Sequence, residues 1–157
     1  MKLVNLSKNR GFTLIELLVV MAILGLLATV GLVSFRTAQM KGRDARRKHD
    51  LEQIQKALEM YYNDKGRYPD PAIIPGPGEE WRDATVTNGA LYMKEMPTDP
   101  RGIDYCYWAD AAGSGYRLYA QLENPKDPNC LDGDCSTARS CGTGTYNYGV
   151  ASSNETP

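Results

Sequence analysis

Between Phe12 and Val33 the chain places 22 residues with a single charged side chain, Glu16. As a helix rising about 1.5 Å per residue, this run reaches roughly 33 Å, close to the ~30 Å hydrocarbon core of a bilayer. It has no polar face, whereas the helix of a soluble domain keeps one, so it predicts a membrane-spanning helix. No proline or turn cluster follows until Gly66, and the helix is expected to continue to about Asp64. Leu51, Ile54, Leu58 and Tyr61 recur at helical spacing, with Ala57 and Tyr62 alongside, marking the stripe that a sheet would cover. The segment Lys41 to Asp50 is polar all round and is expected to project into solvent or between subunits. Gly66, after Asn63-Asp64-Lys65, is placed for a left-handed cap.

The period then changes. Pro69-Asp70-Pro71 and Pro75-Gly76-Pro77-Gly78 exclude helix, so 67–88 reads as a surface connection, with Trp81 as a clamp over a small core. Tyr105 to Ala109 and Tyr116 to Leu122 alternate as strands, joined by a hairpin turn over 111–115. Leu118, Ala120 and Leu122 are assigned to the helix side, and Arg117, Tyr119 and Gln121 to the outside. Thr145 to Val150 is a candidate third strand, and Ala151 to Pro157 a loose tail. The expected fold class is α+β, a long N-terminal helix against a small antiparallel sheet. Its segments are a leader (1–11), a spanning helix (12–33), an amphipathic continuation (34–66), a head (67–150) and the tail (151–157).

Charge and composition narrow the function. The net charge is −1, which gives no basic field for nucleic acid. His49 is the one histidine, so a histidine-based triad or metal cluster has little to build on. Gly-x-Ser-x-Gly, His-Glu-x-x-His and phosphate-loop motifs are missing from the sequence, which argues against an enzyme. The four cysteines, Cys106, Cys130, Cys135 and Cys141, lack the Cys-x2-Cys spacing of zinc knuckles. They are expected to form two disulfides, with three pairings open. Glu123, Asp127, Asp132 and Asp134, with Asn124 and Asn129, form an oxygen-rich stretch suited to a hard cation, although the full EF-hand pattern is absent.

The N-terminus does not read as an ordinary secretory leader. Lys2, Lys8 and Arg10 make it basic, but the small residue, Gly11, precedes the apolar run. Gly11-Phe12-Thr13-Leu14-Ile15-Glu16 resembles, residue by residue, the prepilin-peptidase motif of the type IV pilin and pseudopilin family. The resemblance implies a pilin-like fold, cleavage between Gly11 and Phe12, methylation of the Phe12 amine and polymerisation through the helix. A carboxylate at membrane depth is expensive and functional by default. The expected role of Glu16 is to pair with the Phe12 ammonium of a neighbouring copy, fixing the stagger of the incoming subunit.

A second resemblance covers the head. Tyr61-Tyr62-Asn63-Asp64-Lys65-Gly66-Arg67-Tyr68-Pro69, Met96-Pro97-Thr98-Asp99-Pro100 and Gly115-Tyr116-Arg117-Leu118-Tyr119-Ala120 look like the major pseudopilin family of type II secretion systems. Beyond about residue 120 a cysteine-rich loop replaces that family's glycine-rich acidic end. The family binds calcium in its C-terminal loop, which implies Asp127, Asp132 and Asp134 as calcium ligands. The implied partners are copies of the same chain, prepilin peptidase, an inner-membrane assembly platform, minor pilins or pseudopilins, and the membrane. Flanking charge leaves orientation ambiguous. The resemblance puts the leader in the cytoplasm and the head outside, with secretion pseudopilus and surface pilus both open. The alternative is a membrane-anchored extracytoplasmic binding module that does not polymerise, which would need neither cleavage at Gly11 nor a charge at Glu16.

Overall fold

The computed structural model describes residues 11–133, 135 and 138–157. The chain divides into two compact units, Met1–Gln39 and Met40–Pro157. Helix α1 spans Leu14–Lys65, two residues later at its start than the apolar run suggested. In the first unit the large apolar side chains of α1 are exposed, Leu14, Leu18, Ile23 and Leu27 among them. This helix is long and apolar enough to cross a membrane.

In the second unit the stripe read from the sequence is buried: Leu51, Ile54, Ala57, Leu58 and Tyr61 form one side of the core. Tyr62, one residue on and about 100° round the helix, stays exposed and packs on Tyr68. Gly66 ends the helix at φ +70°, donating its N–H to the Tyr62 carbonyl at 2.8 Å. That left-handed conformation is one L side chains rarely adopt.

The sheet that covers the stripe has the order β3-β4-β7, all antiparallel. Its strands are β3 (Cys106–Ala109), β4 (Tyr116–Ala120) and β7 (Tyr148–Ala151). Tyr116, Leu118 and Ala120 of β4 join the helix core. Two smaller ladders flank it: β1 (Trp81–Arg82) with β2 (Leu91–Met93), and β5 (Arg139–Cys141) with β6 (Gly144–Tyr146). Strand β1 lies within 67–88, where a surface connection was expected, and β2 follows just after it. Strands of two and three residues are too short to leave a periodicity. Trp81 is buried there between Tyr61 and Tyr92, its ring centroid 5.7 and 5.4 Å from theirs.

Three further expectations are corrected. The candidate strand 145–150 is two strands in different sheets. Asn147 separates them, and its side chain accepts from the Leu122 N–H (2.7 Å) and donates to the Leu122 carbonyl (3.0 Å), acting as a strand partner at the crossover. Tyr119 is buried, not outward in solvent, because the β5–β6 hairpin folds over the outer face of the sheet and stacks Tyr146 on it. The Cys106–Cys141 disulfide fastens that hairpin down. The tail is tied: Ser152 exchanges bonds with the Tyr116 backbone, Asn154 donates to the Ser114 carbonyl and Glu155 pairs with Arg117 at 2.6 Å. It continues β7 along the edge of β4.

Candidate functional site

Two sets of residues carry chemistry, one in each unit. At the N-terminus, Gly11 and Phe12 are exposed and precede the helix. Thr13 caps it. The Thr13 N–H and hydroxyl both donate to Glu16 Oε2, at 2.9 and 2.7 Å, and the Glu16 N–H donates back to Thr13 Oγ1 at 3.3 Å. This reciprocal pattern is a capping box, satisfying donors that the first turn of a helix leaves without partners. Its signature, Thr-x-x-Glu, stands in the sequence at Thr13 and Glu16. A carboxylate in the first turn also meets the positive end of the helix dipole.

The second set lies in unit two, in the stretch Lys41 to Asp50 that was expected to be solvated all round. Asp44, Arg47 and Asp50 are buried, Arg47 completely. They recur every three residues, so they share a face. The Arg47 guanidinium donates from Nε and Nη2 to Asp99, the latter at 3.2 Å, and from Nη1 to Asp44 (2.8 Å) and Glu123 (2.7 Å). Arg43 makes a two-pronged contact with Glu123 at 2.8 and 2.6 Å, and Arg101 reaches the same carboxylate at 3.3 Å. Asp44 in turn accepts from the backbone N–H groups of Glu123 (2.9 Å) and Asn124 (2.8 Å). Asp50 accepts from the Tyr105 hydroxyl at 2.7 Å. A guanidinium suits this role because its planar fork can serve several carboxylates at once.

These contacts set the electrostatics. Bonds from Arg43 and Arg47 hold the Glu123 carboxyl down at about 2, against the cost of its burial. Burial opposes the charge on Asp99, but bonds from Arg47 and the Arg101 N–H outweigh it and lower its pKa. Burial, with the bond to Asp50, pushes the Tyr105 phenol well above its ordinary range.

Of the residues implied as calcium ligands, Asp127 is held by Lys48, whose ammonium donates to both its oxygens at 2.7 and 2.8 Å. The side chain of Asp132 and the whole of Asp134 lie outside the described residues. Among the described residues no group of three or more His, Cys, Asp or Glu side chains is placed to hold a metal ion. His49 is exposed and bonds Gln53. The cysteines pair as Cys106–Cys141 and Cys130–Cys135, which resolves the three pairings left open.

The chain matches the prokaryotic N-terminal methylation motif over residues 6–32 and the family described as type II secretion system, protein G over residues 35–127. The chain belongs to the type II secretion system protein G family. It is 33% identical to type II secretion system core protein G of Klebsiella pneumoniae, over 64% of this chain and 74% of that one. To core protein G of Pseudomonas aeruginosa it is 31% identical, over 72% of this chain and 82% of that one. Similarity to the type IV major pilin protein PilA of Myxococcus xanthus is 38% over a shorter region, 40% of this chain and 29% of the relative. No solved structure matches. The family and the methylation motif make this protein a structural subunit of an envelope filament, anchored through its apolar N-terminal helix. Within the matched region of this protein G family member, Asp99 of the Met-Pro-x-Asp-Pro step serves as the anchor for Arg47. The disulfide hairpin and tail, 128–157, lie past the matched region.

Proposed function

We propose that the chain is the major subunit of a type II secretion pseudopilus, matured by prepilin peptidase between Gly11 and Phe12 and methylated on the Phe12 amine. It then polymerises with copies of itself on an inner-membrane platform, with the head outside the membrane. The observation that carries this reading is the pairing of an exposed Gly11-Phe12 junction with a capped helix whose described large apolar side chains are exposed in their own unit. Lipid accounts for that surface in the free subunit, and neighbouring helices account for it in a filament. Glu16 has two successive partners in this scheme. Within the chain it caps α1 through Thr13. In the filament it meets the Phe12 ammonium of an adjoining subunit, a pair that is costly to break once buried.

The test separates the two roles. Glu16→Gln keeps an acceptor oxygen for Thr13 and removes the charge. The expected result is a processed, membrane-inserted protein that fails to form filaments and fails to support secretion. Thr13→Ala removes the hydroxyl and keeps the charge, and filaments should still form. Normal filament yield from Glu16→Gln would refute the role of the charge. A retractable filament on the cell surface, with secretion intact without this chain, would favour a pilus instead.

A further inference from the structure

The described carboxylates of the acidic stretch, Glu123 and Asp127, are matched with cations of this chain. Glu123 is shared by Arg43, Arg47 and Arg101, Asp44 and Asp99 are held by Arg47, and Asp127 is held by Lys48. Among the described residues these four carboxylates face four cations, so this set balances in charge without an added ion. Of the three residues implied as calcium ligands, Asp127 is the one whose side chain is described. Its two oxygens carry the Lys48 ammonium, and Oδ1 also accepts the Asn129 N–H at 3.0 Å. Lys48 is itself seated, with its nitrogen 5.6 Å from the centre of the Tyr148 ring. A metal entering here would have to displace an ammonium whose side chain is about one-fifth exposed.

The loop is also closed without an ion. The Cys130–Cys135 disulfide spans it, the Leu131 N–H donates to the Asn147 carbonyl at 2.8 Å, and Asp44 holds the backbone at Glu123 and Asn124. A bound metal joins distant carboxylates and fixes the chain between them. Here a helix lysine joins the loop carboxylate, and a covalent bond fixes the chain.

We infer that Lys48 supplies the cation of this loop, so that the head of this protein is held by an internal ammonium–carboxylate pair and a disulfide and takes no calcium at Asp127. The Lys48–Asp127 pair belongs to unit two alone and is independent of filament assembly. A protein with this device keeps its head folded where calcium is scarce.

The full mature chain in detergent micelles, with its disulfides intact, gives the test. Its thermal midpoint, followed by tryptophan fluorescence, should be the same in excess chelator and in millimolar calcium. Lys48→Met should lower that midpoint by about 4 °C in chelator, the size expected for losing a partly buried pair in a domain of this length. Asp127→Asn should lower it similarly, and the double variant should lose no more than either single change, because both remove the same contact. Lys48→Arg, which keeps a cation, should recover most of the loss. A midpoint that calcium raises in the unaltered protein would overturn the inference. So would a Lys48→Met midpoint equal to that of the unaltered protein, or additive losses in the double variant.

Discussion

Replacing Arg47 with methionine would leave the carboxylates of Asp44, Asp99 and Glu123 facing one another beneath the loop. Removing one partner from a buried ionic cluster typically costs about 3–5 kcal/mol, a large part of a small domain's stability. We expect Arg47→Met to lower the unfolding free energy obtained from a denaturant titration by that amount. Exchanging the exposed Arg46, whose pair with Asp50 spans 3.8 Å, should change it by less than about 1 kcal/mol. The same residues set an acid limit. Glu123 and Asp99 titrate below their ordinary values in the folded state. The stability they contribute is complete above the unfolded carboxylate range, about 4, and is lost as pH falls through it toward about 2. The thermal midpoint should therefore decline over that interval, and less steeply in Glu123→Gln, which starts lower and has one fewer carboxylate to protonate. Equal slopes would show that Glu123 is not one of the groups responsible. None of this was legible in the run Lys41 to Asp50. Charge alone marks a residue as polar, and the partners that bury Arg47 come from positions 99 and 123, too far along the chain for periodicity to reveal.

At the scale of the element, helix α1 was the most readable part of the protein. An apolar run without breaks, a stripe at Leu51, Ile54, Leu58 and Tyr61, and a glycine stop each follow from local sequence, and each has its counterpart in the fold. The sheet was readable where it alternates, at Tyr116 to Ala120, and failed at Tyr119, because a hairpin from residues 139–146 turns an outward face into a second small core. What fixes that hairpin is the disulfide, and disulfide pairing is a property of the fold. Chain-entropy reasoning separates the two bridges. Cys106 and Cys141 are 35 positions apart, and Cys130 and Cys135 are 5. Closing those loops stabilises by about 4 and about 2 kcal/mol, respectively. Replacing Cys106 and Cys141 together with serine should therefore cost more in an unfolding titration than the same change at Cys130 and Cys135. The reverse order would mean that the hairpin stays docked on Tyr119 through packing alone. The hairpin turn after β3 has its own requirement. Gly113 adopts φ +68°, and a Cβ there would lie 2.8 Å from the Tyr68 carbonyl oxygen. Gly113→Ala should thus destabilise the corner where Tyr68 donates its N–H to the Gly113 carbonyl. A thermal midpoint unchanged by this substitution would count against that reading.

For the whole molecule, the two units divide the work of a filament subunit. Unit one offers an apolar helix that needs lipid or other helices around it, with a carboxylate at its start that serves as its own cap. Unit two is a head held by a tyrosine-rich core, a guanidinium shared among three carboxylates and two disulfides. The filament-subunit role was legible from the motif Gly11 to Glu16, because that motif and the apolar run after it are local sequence. The identity of the head emerged only from motifs whose physical purpose the fold supplies, such as Asp99 meeting Arg47. The most direct measurement is the intact mass of the chain extracted from the membranes of cells that carry prepilin peptidase and the secretion machinery. The expected species begins at Phe12, carries one added methyl group on that residue and lacks four thiol hydrogens. A chain that still holds Met1 to Gly11 in those cells would contradict the account.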